Sequence, residues 1–267
     1  MKTTFQNYID NPMGKGSTVI TKDRRDMYKN SYSQKYGAVL LRENGYFDHA
    51  LYYDKNKDRY FIHMKVPSES ISKLYYDVVI EFYPIDISNN TEPHVKNYGV
   101  KFFSNDPAFV YTYAYVFDKN DMIIKELKPK ISKIAFKQAP TTRNPYELPS
   151  YVKSIFFCYL YMKDRSLFNK FAWKQNSRPF VVSYLLRDIK HSDDKLAEHR
   201  ELKDLEAKQK KIDKQKARSN TDIKKIANKE AKETNQPTGV NYVTPIKPKA
   251  HTSNVRRNKN VKVVKKK

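Results

Sequence analysis

The chain has 267 residues, with 52 Lys+Arg against 29 Asp+Glu and a formal net charge of +23. That length suits one large domain or two small ones, and a field of that sign favours polyanions: nucleic acid, an anionic membrane face or an acidic protein surface. A single cysteine excludes an intramolecular disulfide framework, and the longest apolar runs, AFVYTYAYVF and SIFFCYLYM, fall short of the roughly 20 residues a membrane-spanning helix needs.

Charge and aromatic content are segregated along the chain. Residues 1–190 hold 30 basic and 19 acidic side chains, residues 191–233 hold 13 and 10, and residues 234–267 hold nine and none. Twenty of the 21 Tyr, all 14 Phe and Trp173 lie before residue 190. Only that region can bury enough apolar surface to offset chain entropy, so the folded core is expected there. The opening MKTTFQNYID has no apolar leader, and a soluble, cytoplasmic protein is expected, or a virion component if the gene is a phage's. Lys outnumbers Arg 40 to 12 and Asn and Tyr are abundant, a codon bias that points to a low-GC bacterium or one of its phages.

Residues 1–33 are polar and read as an N-terminal arm with little core. Their GKGS, at 14–17, lacks the spacing of a phosphate loop. GAVLLR (37–42) reads as a strand, with Asn44-Gly45 as a hairpin signal. In DRYFIHMKV (58–66), Tyr60, Ile62, Met64 and Val66 alternate with Arg59, His63 and Lys65. In KLYYDVVIEFYPI (73–85), Tyr76, Val78, Ile80 and Phe82 alternate with Asp77, Glu81 and Tyr83, and NYGVKFF (97–103) continues the pattern. Such runs, joined by short connections, predict an antiparallel sheet wet on one face. Ser104, Asn105 and Asp106 offer an N-cap to a helix over 106–118, with Pro107 in its first turn. KISKIAFKQA (130–139) reads as a further strand, PTTRNPYELPS (140–150) as a loop, and 150–164 as a helix capped by Ser150. Residues 191–233 are strong helix formers with sparse apolar positions. They predict a long solvated helix with a break near ARSNTD. Leu205 and Ile212 are a heptad apart, but Gln209 and Lys216 interrupt any coiled-coil seam. Beyond 234, three prolines and a glycine predict a flexible tail. It would span roughly 30 Å as a coil and roughly 110 Å fully extended.

Chemistry-bearing motifs are weak. The six histidines make neither H-x-x-x-H nor a Cys/His cluster, and no G-x-S-x-G, Walker or G-x-G-x-x-G sequence occurs. No metal, cofactor or catalytic residue is therefore expected, and Cys158 reads as a buried small hydrophobe. Asp121, Glu126 and Lys128, with Asp77 or Glu81 supplying another acid, form the nearest approach to a metal-dependent nuclease. The competing reading is surface ion pairs in a lysine-rich chain. Tyr75, Tyr83, Phe61 and Phe103 beside Arg59, Lys65 and Lys101 would suit single-strand stacking if one sheet face were open. If helices cover that face, these aromatics are core instead.

The sequence thus predicts an α+β fold: an N-terminal arm (1–33), a compact domain (34–190), a charged helical extension (191–233) and a basic flexible tail (234–267). The expected function is non-enzymatic: a structural or accessory protein that binds nucleic acid without sequence preference, a phage virion protein being one setting that fits. The residues expected to meet phosphate are Lys247, Lys249, Arg256, Arg257, Lys259, Lys262, Lys265, Lys266 and Lys267. Two rivals are an assembly protein whose arms bind neighbouring subunits, and the metal-dependent nuclease.

Overall fold

A computed structural model describes residues 3–10, 22–34, 47–68, 70–71, 73–86, 91–141, 144, 147, 149–150 and 152–233. The chain divides into two compact units, Met1–Lys211 and Ile212–Lys267. In chain order the elements are α1 (Phe5–Asp10), α2 (Lys22–Tyr32), β1 (Asp48–Asp54), β2 (Arg59–Pro67), β3 (Tyr75–Tyr83), β4 (Gly99–Ser104), α3 (Pro107–Thr112), α4 (Ala114–Lys119), α5 (Lys153–Asp164), α6 (Lys170–Asn176), β5 (Arg178–Pro179), α7 (Val182–Asp188) and α8 (Ser192–Glu233). The fold is α+β.

The sheet has the order β4-β3-β2-β1-β5, antiparallel except for the two-residue β1–β5 pair. One row across it runs Ala50, His63, Val79, Phe103. Period-two alternation places Tyr60, Ile62, Val78, Ile80, Phe82 and Phe102 on the opposite face, all fully buried. Phe5 and Tyr8 of α1 pack there, with ring centroids 5.4 Å from Phe82 and 4.8 Å from Phe102. Trp173 of α6 closes the same face against Tyr60 and Phe82.

The expected wet face is not wet. Phe61, Val79 and Phe103 are 0% exposed. Phe180, just after β5, stacks on Phe61 with centroids 3.9 Å apart and planes 5° from parallel. Alternation alone cannot distinguish a solvated polar face from one covered by a later segment of chain.

Several local expectations change. Residues 3–10 are no loose arm: Phe5 and Tyr8 are core, and the Phe5 amide donates to the Tyr98 carbonyl at 3.1 Å. The expected strand over 130–139 is instead irregular, with 3-10 turns at Lys125–Lys130 and Lys133–Phe136. Pro129, which has no N–H to give a ladder, sits in the first of them. The helix expected over 106–118 is two short helices hinged at Tyr113, with Asp106 accepting the Ala108 amide at 2.8 Å as N-cap. Ser150 does not cap α5, whose N-cap is Val152 with no side-chain bond; the Ser150 carbonyl instead accepts the Tyr8 hydroxyl at 2.8 Å. DHALYYD is a strand that period-two reading misses, because Tyr52-Tyr53 blurs its alternation. Its turn onto β2 includes Asp58 at φ 47, whose carboxylate accepts hydroxyls from Tyr53, Tyr60 and Tyr98. The strand expected over 37–42, the Asn44-Gly45 turn and the GKGS turn lie outside the described residues.

Candidate nucleic-acid interface

The charged extension begins as a firmly seated helix. Ser192, at the start of α8, is 3% exposed, and its hydroxyl accepts the Ser132 amide at 2.8 Å. Lys195 is buried and donates to Glu198 at 2.9 Å, and Lys190 reaches the same carboxylate at 3.1 Å. One turn on, His199 Nδ1 lies 2.7 Å from the Tyr76 hydroxyl. Leu202 packs on the small cluster of Ile71, Leu74 and Tyr76. A helix with so few apolar residues gains little from its own propensity, so these contacts fix its first three turns.

A buried polar network lies behind this root. His63 Nε2 donates to Asp77 Oδ1 at 2.9 Å, and Asn105 Nδ2 donates to Asp77 Oδ2 at 2.8 Å. The same Nδ2 reaches the Lys190 carbonyl at 3.3 Å, and Asn105 Oδ1 accepts the Asp77 amide at 2.8 Å. Burial works to raise the Asp77 carboxyl, but the hydrogen bonds from His63 and Asn105, with Lys195 nearby, hold it below the ordinary value. Asn105 thereby links β3, the end of β4 and the approach to α8.

In the second unit the helix continues without a break through ARSNTD. Ser219 and Thr221 give their hydroxyls to the Gln215 and Ala217 carbonyls at 3.2 and 2.8 Å, so neither competes with the helix backbone. Lys214, Lys216, Arg218, Lys224 and Lys225 are exposed, as are Ile212, Ile223 and Ile226. The tail positions Lys247, Lys249, Arg256, Arg257, Lys259, Lys262, Lys265, Lys266 and Lys267 lie outside the described residues.

The residues of the nuclease rival are each engaged elsewhere. Asp121 pairs with Lys101 at 2.9 Å, Glu126 with Arg59 at 3.0 Å, and Lys128 with Asp118 at 2.6 Å. Asp121 and Glu126 titrate low: partial burial opposes ionisation, but Lys101 and Lys125 prevail at Asp121, and a backbone amide with Arg59 at Glu126. Arg59 also binds Asp54 at 2.9 Å and Glu81 at 3.0 Å, and lies over the Phe61 and Phe180 rings. Glu81 is pushed up, because its burial outweighs the pull of Arg59. Of the proposed stacking platform, Phe61 and Phe103 are core and Arg59 is spent on carboxylates, while Tyr75 is exposed and Lys101 lies over Tyr83 at 5.6 Å. No open basic-aromatic sheet face remains among these residues. The sequence signal that could have revealed this is the acid opposite each base across the strands: Asp54 faces Arg59, and Glu81 faces Lys101.

Cys158 is buried, and burial raises its thiol well above the ordinary value, so it is no ready nucleophile. Among the described residues no group of three or more His, Cys, Asp or Glu is placed to hold a metal ion, and no helix is long and apolar enough to cross a membrane. Compared with known proteins, the chain matches no family model, no curated protein and no solved structure.

Proposed function

We propose that this is a non-catalytic structural or accessory protein that binds nucleic acid through its basic C-terminal region. The observation that carries the reading is charge segregation: residues 234–267 hold nine cations and no acid. Arg59 of the compact unit is by contrast neutralised by Asp54, Glu81 and Glu126. Lysine and arginine contacts to phosphate read charge and not base edges, so binding is sequence-independent. Support for a non-catalytic role comes from the separate engagement of Asp121, Glu126 and Lys128. A virion protein that touches packaged genome is a setting that fits.

The test is DNA affinity across a salt series, for the full chain and for a chain ending at residue 253. If six to nine tail charges meet duplex phosphates, log affinity falls with log salt at a slope of roughly −5 to −8. Deleting 254–267 removes seven of those nine charges, so most of the tail's contribution to the slope disappears. Equal slopes for the two chains refute the tail as the nucleic-acid arm. A second reading, an assembly protein whose extensions bind neighbouring subunits, is favoured by the exposed Ile212, Ile223 and Ile226. Sedimentation without DNA separates the two, since assembly alone raises the mass.

A further inference from the structure

Among the described residues, three of the five exposed cations of α8 in the second unit share one face of the helix. At 3.6 residues per turn, Lys214, Arg218 and Lys225 fall on one line along the axis, spaced four and then seven. The step between them is Thr221, whose hydroxyl is turned back onto the Ala217 carbonyl. Ile212, Ile223 and Ile226 fall on the opposite side. Asp222 borders the line, and Asp213 lies well away from it. By the 1.5 Å rise per residue, the stretch from Lys214 to Lys225 measures about 16 Å.

We infer that this face of α8 is a track for the phosphates of double-stranded nucleic acid. The inference rests on the polyanion reading above and adds to it the form of nucleic acid preferred. A helix is a straight rod that holds its charges at fixed intervals. A duplex likewise holds its phosphates at fixed intervals, so the two meet without ordering either. A single strand must be stretched along the rod and loses conformational freedom in doing so. The tail's sequence, with three prolines and a glycine in 34 residues, imposes no such rod, so its cations are expected to meet either form equally well. Duplex preference therefore belongs to the ridge, while general affinity belongs to the tail. An α-helix is 10–12 Å across, and a major groove of about 12 Å accepts one. Lysine contacts to phosphate carry no base information, so the track adds no sequence preference.

The experiment uses the full chain and two variants of equal net charge. The ridge variant is K214Q/R218Q/K225Q, and the off-ridge variant is K208Q/K216Q/K224Q. Circular dichroism first establishes equal helicity. Binding is then measured to a duplex of about 20 base pairs, to its separated strand and to heparin, over a salt series. The unmodified chain is expected to favour the duplex by about tenfold. In the ridge variant that preference disappears, and the duplex salt slope falls by about 3, as loss of three phosphate contacts requires. The off-ridge variant keeps the preference, with a slope change below about 1. Equal effects of the two variants, or equal affinity of the unmodified chain for duplex and single strand, overturn the track and leave the polyanion reading standing. Failure of the unmodified chain to bind duplex, single strand or heparin overturns both.

Discussion

Replacing Asp77 tests whether the buried network holds the root of α8. Asp77 is 6% exposed and accepts from His63 at 2.9 Å and from Asn105 at 2.8 Å. Hydrogen bonds to a charged group contribute about 1.5–3 kcal/mol each, and an abandoned buried partner costs more than an exposed one. Asp77→Ala removes both bonds. Asn105 keeps the Lys190 carbonyl at 3.3 Å. The expected loss is therefore about 3 kcal/mol, at the low end for breaking a buried pair. Asp77→Asn is milder. Its Oδ1 can still accept from Asn105, and its Nδ2 can donate to a neutral His63 that carries its proton on Nδ1. Only the charge assistance is lost, about 1 kcal/mol. The assay is equilibrium urea unfolding with an unchanged m-value. The sign of the pH dependence follows from the direction of the shift. Asp77 is held below its unfolded value, so its contribution is fully present above the unfolded pKa of about 3.9 and disappears as pH falls through the folded value. The advantage of the native chain over Asp77→Asn should therefore shrink steadily below about pH 4. An Asp77→Ala variant within 0.5 kcal/mol of the native chain, as a rough threshold, would refute the reasoning. So would an advantage over Asp77→Asn that persists at the acid limit.

Three further outcomes are expected. Ser192→Ala strands the buried Ser132 amide, whose bond to Ser192 measures 2.8 Å; thermal unfolding should report a loss of about 1–2 kcal/mol. Glu81→Gln should stabilise at neutral pH or leave stability unchanged: Glu81 titrates above its ordinary value because of burial, so its ionisation costs stability above the unfolded pKa, and the benefit should disappear below about pH 4 in urea titrations. Glu126→Ala and Lys128→Ala should leave DNA affinity within about twofold, a small surface effect; magnesium-dependent DNA cleavage by the native chain that either change abolishes would refute the non-catalytic reading.

The sequence by itself determined three strands, the cap at Asp106, the long charged helix and the basic end of the chain. These are local matters. Alternation of Tyr60, Ile62, Met64 and Val66 needs only its own strand. The helix over Ser192–Glu233 follows from residues that are strong helix formers in any context. Charge segregation is a matter of counting. Tertiary structure decided what covers each surface. Nothing near Phe61 announces that Phe180, far along the chain, will stack on it, or that Phe5 and Tyr8 will leave a polar terminus for the core. The same holds for Glu126 and Arg59, which meet across 67 positions of sequence. Burial and pairing depend on which distant segments come together, and those contacts converted an apparent nuclease triad and an apparent stacking platform into three ion pairs and a covered sheet. The cationic line on α8 lay within reach of the sequence, since its spacing of three and four is visible there. It gained meaning only once the helix proved continuous through Ser219 and Thr221, because a break there would have turned Lys225 out of line.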